Sequence, residues 1–392
     1  MHTFVALCAI GAERILGNEI KLLGYTVNGN APGRVIFSGD DDALIRANLC
    51  LRTADRVYLQ LALYKAQTFD ELFAGTYEVA WETFFKKNVR VVVDKVRSHG
   101  STLTSEHSIQ SIVHKAIYTR LGDRWHMATV PETGATATVR VYIWENDVQV
   151  LLDTSGAALH KRGYRSDGGP APLRETVAAV LLQELLWRRK IPLHDPFCGA
   201  GTIVLEALLY AHNVAPGLAR HFAFEQFAFY DAHRMETLRR SEAEKIRTDV
   251  RVRISGSDID QAAVMRAKKN AEAACTVVHN ALAAIGSCAR VALPDFSVAD
   301  MATLAAPYEC GVIVCNPPYG ERLGDEAAAQ ELYKKMGALW NNFSGWDFGI
   351  ITANKKFQNC FGHYATKLKD ITAGNLNTRL YIYHRDRASS RD

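Results

Sequence analysis

Residues 191–202 read Ile191-Pro192-Leu193-His194-Asp195-Pro196-Phe197-Cys198-Gly199-Ala200-Gly201-Thr202, and the apolar run Ile203-Val204-Leu205 follows. A short strand over 192–195, a turn with two glycines and a helix from 203 make a strand-to-helix crossover. Gly199 and Gly201 let the backbone turn sharply and lie close to a ligand, while the helix N-terminus aims free N–H groups at the same place. A dinucleotide fingerprint would want a third glycine at position 204, which is Val204 here. A nucleoside-type ligand without a pyrophosphate is therefore favoured over NAD or FAD. Asp195, an acid at the turn, suits a cationic amino group.

Downstream, strands predicted over 254–258, 296–299, 311–315 and 348–353 alternate with helices. A closing hairpin is expected over 368–372 and 379–384, with Gly374-Asn375 in its turn. This is the pattern of a doubly wound, mostly parallel sheet, whose ligands gather at the strands' carboxyl ends. The second strand ends in Ser257-Asp258-Ile259-Asp260, where an acid is either the partner of ribose hydroxyls or a helix N-cap. It lies far beyond the usual ~20 residues from the glycine turn, so residues 213–250, rich in Arg, Glu and aromatics, read as an insertion. The third strand leads to Asp300-Met301, placed to accept from an adenine amino group and to pack against its ring. The fourth, Gly311-Val312-Ile313-Val314-Cys315, runs into Asn316-Pro317-Pro318-Tyr319. Two prolines fix φ and remove N–H groups, so this turn presents carbonyl oxygens without competing donors. Asn316 adds a side-chain carbonyl and Tyr319 an aromatic face, which together suit the exocyclic NH2 of adenine, guanine or cytosine. Each feature alone has an ordinary structural explanation; their order on four successive strand ends points to one site.

The N-terminal part reads as an α+β mixture without repeats. A strand over 3–9, a helix over 10–23, a turn over 28–33, a strand over 34–38 and a helix from Asp41 come first. They are followed by a strand over 57–64, a helix over 68–77, a strand over 89–95, a helix over 105–121 and a hairpin over 137–144 and 148–153. Between 155 and 172, Gly156, Gly163, Gly168, Gly169, Pro170 and Pro172 are interleaved with Lys161, Arg162 and Arg165. That composition marks a linker, either a solvated connector or a basic stretch that touches phosphate or closes over a cofactor. The helix opened by Pro172 is predicted to end in Arg188-Arg189-Lys190, complementing its macrodipole. The resulting division is 1–60, 61–155, a linker over 156–172, and 173–392.

With 392 residues, 48% of them hydrophobic and 22% charged, the chain fits a soluble protein of two or three domains. A net charge of +4 permits a polyanionic partner without demanding one. No apolar run approaches the ~20 residues of a membrane helix, and Met1-His2-Thr3-Phe4 starts no signal peptide, so a cytoplasmic location is expected. The eight cysteines include no Cys-x-x-Cys pair, and most have apolar or small neighbours, which favours reduced thiols. Cys198 and Cys315 read as small packing residues. His107 and His114 lack a cysteine or carboxylate cluster, and no metal site is expected.

Residues 155–385 resemble the class I S-adenosylmethionine-dependent methyltransferases, specifically the RNA methylases that carry an N-terminal THUMP domain. The strings that carry the resemblance are Leu159-His160-Lys161-Arg162-Gly163-Tyr164-Arg165, Ala171-Pro172-Leu173-Arg174-Glu175-Thr176, the Asp195–Thr202 turn, and Asn316-Pro317-Pro318-Tyr319-Gly320-Glu321-Arg322. Upstream, Thr68-Phe69-Asp70-Glu71-Leu72-Phe73 and residues 98–115 resemble the THUMP module with its ferredoxin-like neighbour. The implied fold is α/β: a C-terminal Rossmann-like domain with a mostly parallel seven-stranded sheet, behind α+β ferredoxin-like and THUMP domains. The implied cofactor is S-adenosylmethionine. Its methionine end would meet Asp195, Pro196, Phe197, Cys198, Gly199, Gly201 and Thr202, with Thr176 or Arg174 from the preceding helix. Ribose would fall to Asp258, adenine to Ile259, Asp300 and Met301. Asn316 and the Pro317 carbonyl would accept the N–H groups of the target amine, Pro318 would complete the turn, and Tyr319 would stack on the base.

The closest resemblance is to guanine-N2 methylases of 23S ribosomal RNA, which implies that RNA or a pre-ribosomal particle, and no membrane, is the partner. The alternatives are an adenine-N6 methylase acting on DNA or another RNA, and a non-catalytic RNA-binding assembly factor. Asn377-Thr378 stand where relatives often have an acid and a cysteine, which leaves the substrate base open.

Overall fold

The computed structural model describes residues 1–165, 173–318, 326–373 and 376–385. The N-terminal strands β1 (His2–Leu7), β2 (Thr26–Ala31), β3 (Arg34–Gly39), β4 (Arg56–Lys65), β5 (Arg90–His99), β6 (Thr136–Trp144) and β7 (Asp147–Asp153) form one sheet in the order β2-β3-β1-β4-β7-β6-β5. β4 is the hinge of this arrangement: it pairs with β1 through residues 56–59 and with β7 through 58–65. The sheet therefore runs without a break through position 60.

Of helices α1 (Glu13–Leu22), α2 (Asp41–Cys50), α3 (Phe69–Tyr77) and α4 (Glu106–Trp125), the last three begin where polar side chains satisfy free amides, while α1 starts after Ala12 without a side-chain cap. Asp40 accepts from the Ala43 amide, Ser105 from that of Ser108, and Thr68 with Glu71 forms a reciprocal capping box. β2 departs from expectation, since residues 28–33 were read as a turn. Val27-Asn28-Gly29-Asn30 has poor strand propensity, and only pairing with β3 across a register shift between Val27 and Gly29 holds it extended.

The C-terminal sheet contains β8 (Leu193–Asp195), β9 (Ile254–Asp258), β10 (Asp295–Val298), β11 (Gly311–Cys315), β12 (Trp346–Thr352), β13 (Lys367–Ala373) and β14 (Leu376–Tyr383) in the order β10-β9-β8-β11-β12-β14-β13. The first five run parallel, and β14 and β13 close the sheet antiparallel. Around it lie α5 (Glu175–Glu184), α6 (Thr202–Ala211), α7 (Ala232–Glu244), α8 (Gln261–Ala284), α9 (Glu326–Lys335), α10 (Gly337–Asn342) and α11 (Phe357–Phe361). β11 is buried along its whole length, as a central parallel strand covered on both faces should be. The strand order reverses between β8 and β11, so their carboxyl ends flank the topological switch point.

Two expectations about charged segments are corrected, and the segment read as an insertion is found packed against the N-terminal half. α5 ends at Glu184 and is followed by Leu186 and Arg189 at positive φ, so Arg188-Arg189-Lys190 lie beyond the helix and do not cap it. The stretch after 155 is anchored in its described part, although Ala157, Lys161 and Gly163 stay exposed. Arg162 and Tyr164 are 3% and 2% exposed, and both reach Glu206 on α6. Residues 213–250 pack as well: Phe222, Phe224 and Phe227 are buried, the Ala228 amide donates to the Phe84 carbonyl, and Arg234 pairs with Asp41 and Asp42 of α2.

The two sheets are tied by a bridge in which Ile10 and Thr372 exchange both backbone hydrogen bonds at 3.0 Å. Beside it, Gly11 has φ +94°, and a Cβ there would lie 2.2 Å from the Asp370 carbonyl oxygen. Nearby, Arg14 and Lys367 converge on the buried Glu184 carboxylate. Gly11→Ala is therefore expected to cost about 1–3 kcal/mol through overpacking and left-handed strain. Chemical denaturation measures this, and an unchanged midpoint would show that the two sheets are not locked at this point. Among the described residues no helix is long and apolar enough to cross a membrane.

Candidate active site

The turn after β8 is fastened from three sides. Asp195, 1% exposed, accepts from the Phe197 amide at 3.0 Å, and the Cys198 amide donates to the Ser257 carbonyl of β9. The Gly199 amide donates to Asp258 Oδ2 at 2.9 Å, and the Asp260 amide to Asp258 Oδ1 at 3.0 Å. Asp258 thereby locks two turns together, and each carboxylate oxygen keeps acceptor capacity for a hydroxyl. Asp260 is the helix cap, accepting from the Ala262 amide. Gly199 (φ +52°) and Gly201 (φ +84°) adopt left-handed backbone, and a Cβ on Gly199 would meet nothing within 4 Å, so the turn faces open space. Ile259, beside it, is 72% exposed, an unusual position for an isoleucine at a strand end. Burial, with the Asp258 charge adding, pushes the Asp195 carboxyl well above the usual carboxylate range.

Asp300 caps the short turn Met301–Thr303 by accepting from the Ala302 amide, and Met301 is buried. At the end of β11, Asn316 Oδ1 is buried and has no hydrogen-bond partner among the described residues. Such an orphan acceptor costs about 1–3 kcal/mol and calls for an explanation. The Pro318 carbonyl accepts from the Tyr333 hydroxyl at 3.4 Å. Pro317 is buried behind it. Tyr319, with Gly320-Glu321-Arg322, lies outside the described residues.

Cys198 and Cys315 are buried, and burial pushes both thiols far up, as fits packing residues rather than nucleophiles. Thr176, at the start of α5, is tied to the N-terminal half. Its hydroxyl donates to Asp55 of the N-terminal half at 2.8 Å, and Arg174 faces the same carboxylate at 3.7 Å. No group of three or more potential metal ligands occurs among the described residues.

Two residues support the turn from behind, of which Asn270 has no counterpart in the sequence reading. Asn270, 1% exposed on α8, donates to the Ala200 carbonyl and holds the glycine turn from behind. Its signal was an amide within the apolar stripe Ala263, Ala267, Ala271, Ala274. Arg165 donates to Thr202 Oγ1 at 2.7 Å, joining the segment before α5 to the first residue of α6.

The residues fit an S-adenosyl nucleoside. An open glycine turn, a hydroxyl-accepting acid, an exposed aliphatic surface and a buried acid for a cation line the carboxyl ends of β8 and β9. The orphan acceptor stands at the end of β11, the strand beside β8.

Comparison with known proteins agrees. Residues 162–382 match the family described as RMKL-like methyltransferase domain, 3–58 the RlmL ferredoxin-like domain and 66–153 the THUMP domain. A Bacillus subtilis (strain 168) protein named "Putative RNA methyltransferase YpsC" is 39% identical over 97% of this chain and 96% of its own length. The ribosomal RNA large subunit methyltransferase K/L of Pseudoalteromonas atlantica is 31% identical over 98% of this chain, which spans 54% of that longer protein. The crystal structure of SMU.472 complexed with SAH superposes with a TM-score of 0.87 at 32% identity, covering 98% of both chains. A structure titled as a predicted N6-adenine-specific DNA methylase from Listeria monocytogenes gives 0.88 at 37% identity, covering 98% of this chain and 96% of that one. The chain belongs to the RMKL-like methyltransferase family, with ferredoxin-like and THUMP domains ahead of a catalytic domain that uses S-adenosylmethionine.

Proposed function

We propose that this chain methylates an exocyclic amino group of an RNA base, guanine N2 of 23S ribosomal RNA being the favoured target. The observation that carries the reading is the buried Asn316 Oδ1, without a hydrogen-bond partner among the described residues, directly after β11, the strand paired with β8, which ends at the glycine turn. A conjugated amine is a poor nucleophile because its lone pair is delocalised into the ring. Asn316 Oδ1 and the Pro317 carbonyl accept its two N–H groups, localise that lone pair and aim it. The bound cofactor supplies a methyl group already activated on a sulfonium. Positioning by Asn316 and the proline turn is then the main catalytic task, and no strong base is needed because the proton released after N–C bond formation can pass to water. Asp195, Phe197, Gly199 and Gly201 serve the methionine end, Asp258 the ribose, and Ile259, Asp300 and Met301 the adenine.

RNA is favoured over DNA by the THUMP domain and by relatives named as RNA and ribosomal RNA methyltransferases. The Listeria protein is named for DNA adenine, whereas the Asn316-Pro317-Pro318-Tyr319 sequence of this chain suits any exocyclic amine. Supplying purified protein with labelled S-adenosylmethionine and either DNA or large-subunit particles and RNA from cells lacking the gene separates the readings. Label is expected in RNA; label in DNA alone would overturn the RNA reading.

A further inference from the structure

Asn316-Pro317-Pro318 leaves β11 beside β12, the strand on the far side of β11 from the glycine turn. Cys315 is level with Ile350, so the turn comes away next to Ile351 and Thr352. Two successive prolines leave positions 317 and 318 without an N–H, and the fold can grip the backbone there only by its carbonyl oxygens. Tyr333 of α9 supplies that grip. Its ring is fully buried, edge-on to Phe357 at 5.0 Å, and its hydroxyl lies 3.4 Å from the Pro318 carbonyl and 3.1 Å from Thr352 Oγ1. Thr352, the last residue of β12, is fully buried as well, and its Oγ1 accepts from the Asn354 amide at 3.1 Å. A carbonyl can only accept, so the single Tyr333 hydrogen goes to Pro318 and the Thr352 hydroxyl donates to Tyr333. The chain from Asn354 through Thr352 and Tyr333 to Pro318 therefore runs in one direction, an arrangement in which each bond polarises the next.

We propose that Tyr333, backed by Thr352, is a positioning residue for methyl transfer. By holding the Pro318 carbonyl it sets the turn so that Asn316 Oδ1 and the Pro317 carbonyl meet the two N–H groups of the target amine, an assignment that rests on the exocyclic-amine reading of this turn. Tyr333 acts through the turn and not on the base. Where catalysis is mainly orientation, a displacement of about 1 Å costs up to about 10²-fold, so a turn without donors of its own needs such a brace. The ordinary need of a buried tyrosine for an acceptor would explain one hydrogen bond, but not a second buried hydroxyl aligned behind it.

Single-turnover methyl transfer to large-subunit RNA from cells lacking the gene, at saturating RNA and S-adenosylmethionine, tests this. Tyr333→Phe keeps the ring and removes the hydroxyl. Its transfer rate is expected to fall about 10-fold, while RNA half-saturation and S-adenosylhomocysteine affinity stay within about twofold of wild type. Thr352→Val, the second variant should Tyr333→Phe fold poorly, should lose a similar factor. The double variant should lose no more than about twofold further, because one chain is broken only once. Thr352→Ser keeps the hydroxyl and deletes a buried methyl group, and it should recover most of the rate lost in Thr352→Val. A Tyr333→Phe rate within about twofold of wild type overturns the assignment. So does a slower rate in Thr352→Ser than in Thr352→Val, which would mark a packing role. If the wild-type protein transfers no methyl group to RNA, the substrate reading itself fails and the brace falls with it; if Asn316→Ala is inactive while Tyr333→Phe is not, the brace alone fails.

Discussion

Asn316→Ala is expected to lower methyl transfer by about 10²–10³-fold or more, the scale seen when one preorganised polar contact to a transition state is removed. S-adenosylmethionine affinity should change by less than about twofold, since the lost contact belongs to the target amine. Stability should not fall and should rise slightly. The reason is that Oδ1 is desolvated without a partner in the free protein, and removing an unsatisfied buried acceptor relieves a cost of about 1–3 kcal/mol. A fall in transfer together with a raised melting temperature separates a group retained for chemistry from one retained for the fold. Turnover kinetics and thermal denaturation on the same preparation check both halves. Retained turnover would show that Asn316 does not hold the amine, and a marked loss of stability would show that it supports the β11 turn instead.

The largest effect on folding is expected at Glu206. Its side chain and that of Arg162 are 1% and 2% exposed, and the Tyr164 hydroxyl donates to the same carboxylate at 3.1 Å. Glu206→Ala strands a buried guanidinium, which typically costs about 3–5 kcal/mol. Replacing both partners with apolar residues of similar size, Arg162→Met with Glu206→Leu, should recover much of that loss, because both desolvation penalties vanish with the pair. Urea denaturation of the single and double variants measures the difference. If the single variant loses less than about 1 kcal/mol, water reaches Arg162 and the ion pair is not structural.

The same pair shows what the sequence made legible and what it did not. Leu159 to Arg165 was recognisable as a string, but its composition of Gly, Arg and Lys reads as a connector. Only the packing onto α6 reveals that Arg162 and Tyr164 are buried and that Arg165 bridges to Thr202. Local pattern was sufficient for the switch point, because the apolar run of β11 leads straight into Asn316 and the short strands β8 and β9 end in Asp195 and Asp258. It failed for β2, where Asn and Gly give no strand signal and the neighbour β3 imposes the conformation. It also failed at the start of α5. The Thr176 hydroxyl bonds Asp55, 121 residues away, and no spacing rule reports such a contact. Asn270 was hidden for the related reason that a single amide in an apolar stripe looks like a solvated position until its carbonyl partner is known.

The proposed reaction is methylation of the exocyclic N2 amine of a guanine in 23S ribosomal RNA. Nucleoside mass spectrometry of 23S ribosomal RNA from cells lacking the gene tests it most directly. The predicted result is loss of N2-methylguanosine, restored by the wild-type gene and not by the Asn316→Ala variant. Unchanged N2-methylguanosine, with N6-methyladenosine lost in its place or no modified nucleoside lost at all, would contradict it.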